Sequence, residues 1–398
     1  MRLKKSPLTK KVLREAYSTY SEIGLFWSSL ILLTSCYIAS KEKWLLMKFG
    51  SSGAGKTISD KVALNIFAKE LNPLYISGRL TPAGMAKELK RAEKDERSKR
   101  RIEAFRNAKL IFVEDLSRCT THYLKLTSLQ FLAGLTRTTT LDDLTSDGGT
   151  LGGNLGKEPK KCMVAGTPSD WEEISSTSLY NEFIDRRSLT VIALMSPEEW
   201  AIREKLALQG VNKSDWQILL EWQDIFRRAD VSPYFGPMKK RTFGKDRLEL
   251  YKKLRGFKKY PENLLIMIDS LAEGHARING RDEILPEDYE VIHKLFGRFL
   301  VLADMKKKEL YIVEEVIREA VGMIHVDALV YRLRGRAKRE DLPEISLVRR
   351  SIYNYVTHSK YLEFTNRGGR RRPVSVRLSK KMVKLLNDWR KEVSEVLK

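Results

Sequence analysis

The chain has 398 residues, a formal net charge of +22 and 42% hydrophobic residues. That length exceeds one ordinary core, so two or three domains are expected. The charge excess says nothing of fold, but it favours polyanionic partners, nucleic acid before an acidic membrane surface. Cys36, Cys119 and Cys162 lie far apart, with no CxxC or Cys/His pairing. This argues against zinc and against a disulfide framework, and points to a cytoplasmic setting.

Residues 1–22 are basic and polar. Gly24–Ala39, GLFWSSLILLTSCYIA, is shorter than the roughly 20 apolar residues of a membrane span; with its hydroxyl side chains it reads as a buried helix. From Trp44 strands and helices alternate. KWLLMKF is a strand, Lys56–Leu71 a helix, and PLYIS a strand. MAKELKRAEKDERSKRRIEAFRNA is one charged helical stretch. KLIFVED is an apolar strand ending in two acids, and helical sequence follows at Leu124–Leu135. CMVAG and LTVIAL complete the sheet. This is an α/β pattern, a doubly wound parallel sheet with helices on both faces. Ser196–Leu300 is helical and charged. The rest predicts three helices and a hairpin, a winged helix-turn-helix. The expected divisions are 1–43, 44–195, 196–304 and 305–398, with no internal repeat.

Gly50-Ser51-Ser52-Gly53-Ala54-Gly55-Lys56-Thr57 fits GxxxxGK[ST] between a strand and a helix, the context its chemistry needs. Backbone N–H groups of such a loop close around the phosphates of ATP, Lys56 adds charge, and the Thr57 hydroxyl ligates Mg2+. Glu114 and Asp115 end the LIFVED strand. One acid in this position holds Mg2+ and its neighbour polarises the attacking water. The usual order is Asp then Glu. With that order reversed, either Glu114 takes the metal and Asp115 the water, or Asp115 takes the metal and the base lies elsewhere. A helix-capping acid pair is the structural alternative. Thr167, in VAGTPSDW, either orients water beside the γ-phosphate or only makes a turn before Pro168. In EFIDRRSL the arginines either pair locally, Arg187 with an acid such as Asp185, or Arg186 serves as an arginine finger on a neighbouring subunit's nucleotide.

In this order the elements resemble the AAA+ ATPases, residues 44–300 matching their core and helical lid. Within them, GRLTPAG (Gly78–Gly84) is similar to the GLTA stretch of the minichromosome maintenance (MCM) helicases and related viral or plasmid replication ATPases. FIDRRSL resembles their SRFDL finger motif, which aligns Arg186 with the finger. SLAEGHARINGRDEILPEDYE (Ser270–Glu290) resembles their lid helix, LSEAHARMRLRDEVTEEDV. The resemblance implies ATP hydrolysis with Mg2+ in a homo-oligomeric ring on DNA, with ATP between subunits. There are departures. The family's sensor-2 arginine falls at Ser270, the acidic pair is swapped, and residues 1–43 hold neither its oligonucleotide-binding barrel nor its zinc ligands. Residues 136–160 occupy the place of its pore hairpin, though their glycines equally suit a slack surface loop.

From Tyr331 to Lys381 fifteen Lys/Arg stand against four acids. A winged helix sets its third helix in the major groove and its wing on the backbone or minor groove. Arg349, Arg350 and Asn354 are placed to reach base edges, and Arg367, Arg370, Arg371 and Arg372 suit phosphates. The alternative is a solvated basic face on a protein-docking module. His275, His293, His325 and His358 are expected to be structural, having no second ligand at metal spacing. The expected function is an ATP-driven helicase or remodeller of DNA replication. An origin-binding initiator or loader, a switch ATPase acting in transcription, and a transposition helper would use the same parts.

Overall fold

Strand β1 (Leu45–Gly50) is buried along its whole length, as a strand covered on both faces must be. In the computed structural model it lies in a five-stranded parallel sheet of order β2–β3–β4–β1–β5. The partners are β2 (Leu74–Ile76), β3 (Leu110–Val113), β4 (Lys161–Gly166) and β5 (Ser188–Ala193). The structure describes residues 27–397 except 51–53, 68–70, 78–79, 120, 142–152, 168–169, 171–173, 175–183, 194, 196, 210–216, 218–219, 222, 226–232, 257, 259, 304, 306, 320–321, 340–344 and 366–373.

The period of two along each strand divides the core. Leu46, Phe112, Met163 and Val191 enter one apolar cluster; Met47, Ile111, Val164 and Ile192 enter the other. On the first face pack helix α1 (27–39) and α2 (Lys56–Phe67). On the second pack α3 (Pro82–Ala92), α4 (Glu96–Asn107) and α5 (His122–Leu135). The charged stretch expected as one helix is two. Asp95 accepts from the N–H groups of Arg97 and Ser98 and so caps α4, ending the run from α3.

After β5 come α6 (Pro197–Leu208), α7 (Lys245–Arg255), α8 (Leu264–Ile278) and α9 (Pro286–Ala303), with the short parallel pair β6 (Lys240–Arg241) and β7 (Glu283–Ile284). Then follow α10 (Lys307–Ile317), β8 (Met323–His325), α11 (Val326–Arg339), α12 (Arg349–His358), β9 (Leu362–Phe364) and β10 (Ser375–Leu378). The expected strands β9 and β10 pair antiparallel, and β8 adds a third on the other side of β10. A last helix, α13 (Lys380–Leu397), lies beyond the elements foreseen. It packs back on α9, and its Trp389 and Val393 join the first-face core.

α1 is buried throughout, and among the described residues no helix is long and apolar enough to cross a membrane. Its contacts explain its composition. The Ser35 hydroxyl donates to the Ile31 carbonyl one turn back, and the Tyr37 hydroxyl donates to the Trp44 carbonyl and accepts from Cys162 N–H at 2.9 Å. Lys161 donates to the Tyr37 carbonyl and to Ser40. On its other side Gly274 of α8 meets α1 so closely that a Cβ there would fall 1.7 Å from the Cys36 carbonyl oxygen.

Burial pulls the Lys161 ammonium down to about 7. Its proton is therefore bound more tightly by the unfolded chain, and stability rises with pH from about 7 towards the ordinary lysine value near 10.4. Denaturant unfolding at pH 7, 8 and 9 should show an upward slope, at most ~1.4 kcal/mol per pH unit for this one group. Lys161→Met should flatten that slope; an unchanged slope would remove Lys161 as its source.

Candidate functional site

The carboxyl ends of β1, β4 and β3 lie side by side, because β4 separates the other two in the sheet. Ligands of open α/β sheets bind at this edge. The phosphate-type loop follows β1, Thr167 follows β4, and Glu114 with Asp115 follows β3. Residues remote in sequence thus converge.

Of the loop, Ser51, Ser52 and Gly53 lie outside the described residues. Gly50 pairs with Ala193 at the end of β5. Ala54 is buried, and Gly55 has φ +77°, where a Cβ would fall 2.3 Å from the Trp27 indole nitrogen. That glycine is required twice, by conformation and by space. Trp27 had no sequence signal beyond its apolar surroundings.

Lys56 opens α2 and donates to the Gly50 carbonyl at 2.7 Å. Burial draws its pKa down to about 8, against the charges of Glu314, Asp115, Asp170 and Asp60. Thr57 follows in the first helical turn. Behind the loop, Lys48 of β1 and Asp60 of α2 form a fully buried ion pair, with Thr34 donating to the same carboxylate at 2.9 Å. Burial lowers the Lys48 pKa and raises that of Asp60, and each charge opposes the other's shift.

The two acids diverge. Glu114 lies 3.0 Å from Lys61 of α2, and its N–H continues the β2–β3 ladder by donating to Ile76. Asp115 is 40% exposed and 3.8 Å from Arg118, and its charge is among those that act on Lys56. The Thr167 hydroxyl donates to Asp170 at 2.8 Å, and Asp170 N–H donates back at 3.3 Å. These bonds close a turn at Thr167. Asp170 is buried and held by Lys125 at 2.7 Å; neither had been singled out.

Arg186 lies in the 3-10 turn Asp185–Arg187 that leads into the start of β5. It is exposed, and its guanidinium lies 4.6 Å from the centre of the Tyr260 ring. The cation on Asp185 is Lys258, at 3.4 Å, and Tyr260 N–H donates to the same carboxylate. Asp185 thus receives a lysine from the segment before α8. Burial, with Arg137 nearby, lowers the Arg187 pKa to about 10. Ser270, at the sensor-2 position, accepts from the Trp44 indole at 3.2 Å.

Residues 136–160 begin and end as a hairpin. Leu141 N–H donates to Gly153 and Leu155 N–H to Thr139 across the Thr140–Asn154 bridge; the tip, 142–152, is outside the described residues. In the C-terminal part Arg350 and Asn354 are exposed on α12, while Arg349 lies 3.6 Å from Asp327 and near the Tyr353 ring. Arg367, Arg370, Arg371 and Arg372 lie outside the described residues. The fifteen cations need one correction. Arg336 is buried against Glu314 and Glu315, Arg332 pairs with Glu319, and Arg377 pairs with Glu363. Three of these acids precede the segment counted, so the exposed charge is smaller than the tally.

His275 is fixed by Asp288 at 2.6 Å and His293 by Asp246 at 3.0 Å. Metal spacing along the chain missed one cluster: ligand atoms of Asp246, Glu249 and His293 lie within 4.8 Å of one another. Lys253 stands 2.7 Å from the other His293 nitrogen, so a cation already serves the ring.

The donor set at the sheet edge fits a nucleotide polyphosphate: a glycine turn closed to any side chain, a half-buried ammonium, and a helix N-terminus carrying a hydroxyl. Thr57 with the neighbouring carboxylates offers the oxygen ligands that Mg2+ takes. No protein-family model matches the chain, and no curated protein matches it. Among solved structures, one described as a candidate ATPase of Cytophaga hutchinsonii is similar over 73% of this chain and 86% of that one, at 14% identity and TM-score 0.36. A score that low supports no inference about function.

Proposed function

We propose that the chain is an ATP-hydrolysing, AAA+-type motor of DNA replication, an MCM-like helicase or remodeller that acts as a homo-oligomeric ring. The observation that carries this reading is the convergence of Lys56 and Thr57, Thr167, and Glu114 with Asp115 along one edge of a parallel sheet. Bound Mg2+-ATP supplies the phosphoanhydride to be cleaved. Lys56, which donates to the Gly50 carbonyl, would turn to phosphate oxygens, and Thr57 with one acid would hold the metal. In the register of the motif that acid is Glu114; the alternative puts Asp115 on the metal side. Thr167, its proton committed to Asp170, has lone pairs to offer a water. Arg186 sits at the opposite end of β5 from the Gly50 pairing, about 20 Å away at roughly 3.3 Å per residue, so its phosphate partner belongs to a neighbouring subunit.

The C-terminal strands and helices support a winged-helix reading, with α12 and the β9–β10 hairpin facing DNA. Neutralising Arg370, Arg371 and Arg372 should weaken duplex binding with little dependence on sequence. Each lost phosphate contact flattens the slope of log K against log salt by about 0.9. An unchanged slope would take the hairpin off the phosphates.

A strand-displacement assay with ATP, run beside native mass measurement, tests the whole reading. Unwinding by a ring supports the motor. A second reading, a nucleotide switch that controls DNA binding, is favoured by one observation: the C-terminal part shares an apolar core with the sheet. DNA binding that follows nucleotide state in a monomer, without unwinding, would establish it.

A further inference from the structure

Asn263 stands just before α8, where an asparagine ordinarily caps the helix with its side chain, yet it makes no such bond. Its side-chain N–H donates instead to the Arg186 carbonyl at 2.8 Å, 77 residues away in the chain. A capping residue turned from its own helix departs from the local rule, and such departures gather where a site is built.

Two more residues of the same segment reach the same turn. Lys258 donates to the carbonyls of Asp185 and Ser188, the latter at 2.6 Å, and stands 3.4 Å from the Asp185 carboxylate. Tyr260 N–H donates to that carboxylate at 2.9 Å, and the Tyr260 ring centre lies 4.6 Å from the Arg186 guanidinium. The turn is thus held at Asp185, at Arg186 and where β5 begins, while the Arg186 side chain itself is exposed. An exposed arginine has many rotamers, and ordering it opposes any single contact. A fixed backbone and a ring under the guanidinium remove much of that cost before a phosphate arrives.

We propose that Lys258, Tyr260 and Asn263 are positioning residues for Arg186: they fix the 185–187 turn to the segment that enters α8, and the Tyr260 ring aims the guanidinium at the nucleotide of a neighbouring subunit. The inference rests on the reading of Arg186 given above. It adds that the segment before α8 in one subunit governs hydrolysis in the next, acting through Arg186.

Steady-state and single-turnover ATPase of the full chain test it, using wild type, Arg186→Ala, Tyr260→Phe, Tyr260→Leu, Asn263→Ala and Arg186→Ala/Tyr260→Leu. Tyr260→Leu should lower kcat about tenfold and leave the KM for ATP and the thermal midpoint unchanged. Tyr260→Phe, which keeps the ring, should act as wild type. Asn263→Ala, which removes one exposed hydrogen bond, should lower kcat about three- to tenfold. In the Arg186→Ala background Tyr260→Leu should change nothing further. Mixed with Lys56→Ala subunits, whose turn is intact, Tyr260→Leu subunits should regain rate per functional site. If Arg186→Ala is slow while Tyr260→Leu and Asn263→Ala turn over as wild type does, the finger stands and the positioning proposal is overturned. The proposal is also overturned if Tyr260→Leu slows the Arg186→Ala protein by the same factor, because the effect then bypasses the arginine. If Arg186→Ala hydrolyses ATP as wild type does, the finger reading falls and the proposal falls with it.

Discussion

Arg186→Ala should bind ATP nearly as wild type does and hydrolyse it about 10³–10⁵ times more slowly, the range seen when an arginine finger is lost. Lys56 and Thr57 of the same subunit are untouched by the change. The side chain is exposed and stacked on Tyr260, so its removal uncovers no buried charge and costs little stability. Lys56→Ala should lack turnover for the complementary reason, having an intact finger and no phosphate lysine. Mixing the two dead variants gives some interfaces with Lys56 on one side and Arg186 on the other, and part of the activity should return. Subunit exchange is verified separately by mass. If every mixing ratio stays inactive although subunits exchange, the shared site is wrong and the nucleotide switch moves ahead.

The second large effect concerns stability. Lys48→Met should destabilise the fold by about 3–5 kcal/mol, because Asp60 is left charged and buried without its cation. Thr34 donates one hydrogen bond to Asp60 and cannot replace a charge. Lys48→Met/Asp60→Leu removes both charges and should recover most of the loss. Equilibrium unfolding of the two variants decides it; a single variant as stable as wild type would mean that the pair is already broken or neutral in solution.

The loop, the strand ends and most helices were legible because each carries a local signal: glycines before a lysine, apolar runs ending in acids, and alternation of element types. Lys48 was not, since a lysine inside KWLLMKF looks like a snorkelling surface residue until α1 and α2 bring Thr34 and Asp60 to it. The break between α3 and α4 did have a signal, Asp95 followed by Ser98, but it was hidden in a run of charges. Arg336 was counted as basic surface because its acids lie outside the counted window and reach it only through the fold. β8, three residues long, is too short for any periodicity to mark. Trp27 reaches Gly55 of the loop from a helix that precedes the first strand, a relation no spacing rule contains.

Gly274 against Cys36 leaves no room for a single methyl group, and surfaces that close cannot slide past one another. α1 is also bonded to the sheet, where the Tyr37 hydroxyl accepts from Cys162 N–H, Thr34 accepts from Lys48 and the Tyr37 carbonyl accepts from Lys161. It therefore acts as a rivet that ties α8 to β1 and β4. The helices packed on the other face of the sheet have no such tie to α1 among the described residues.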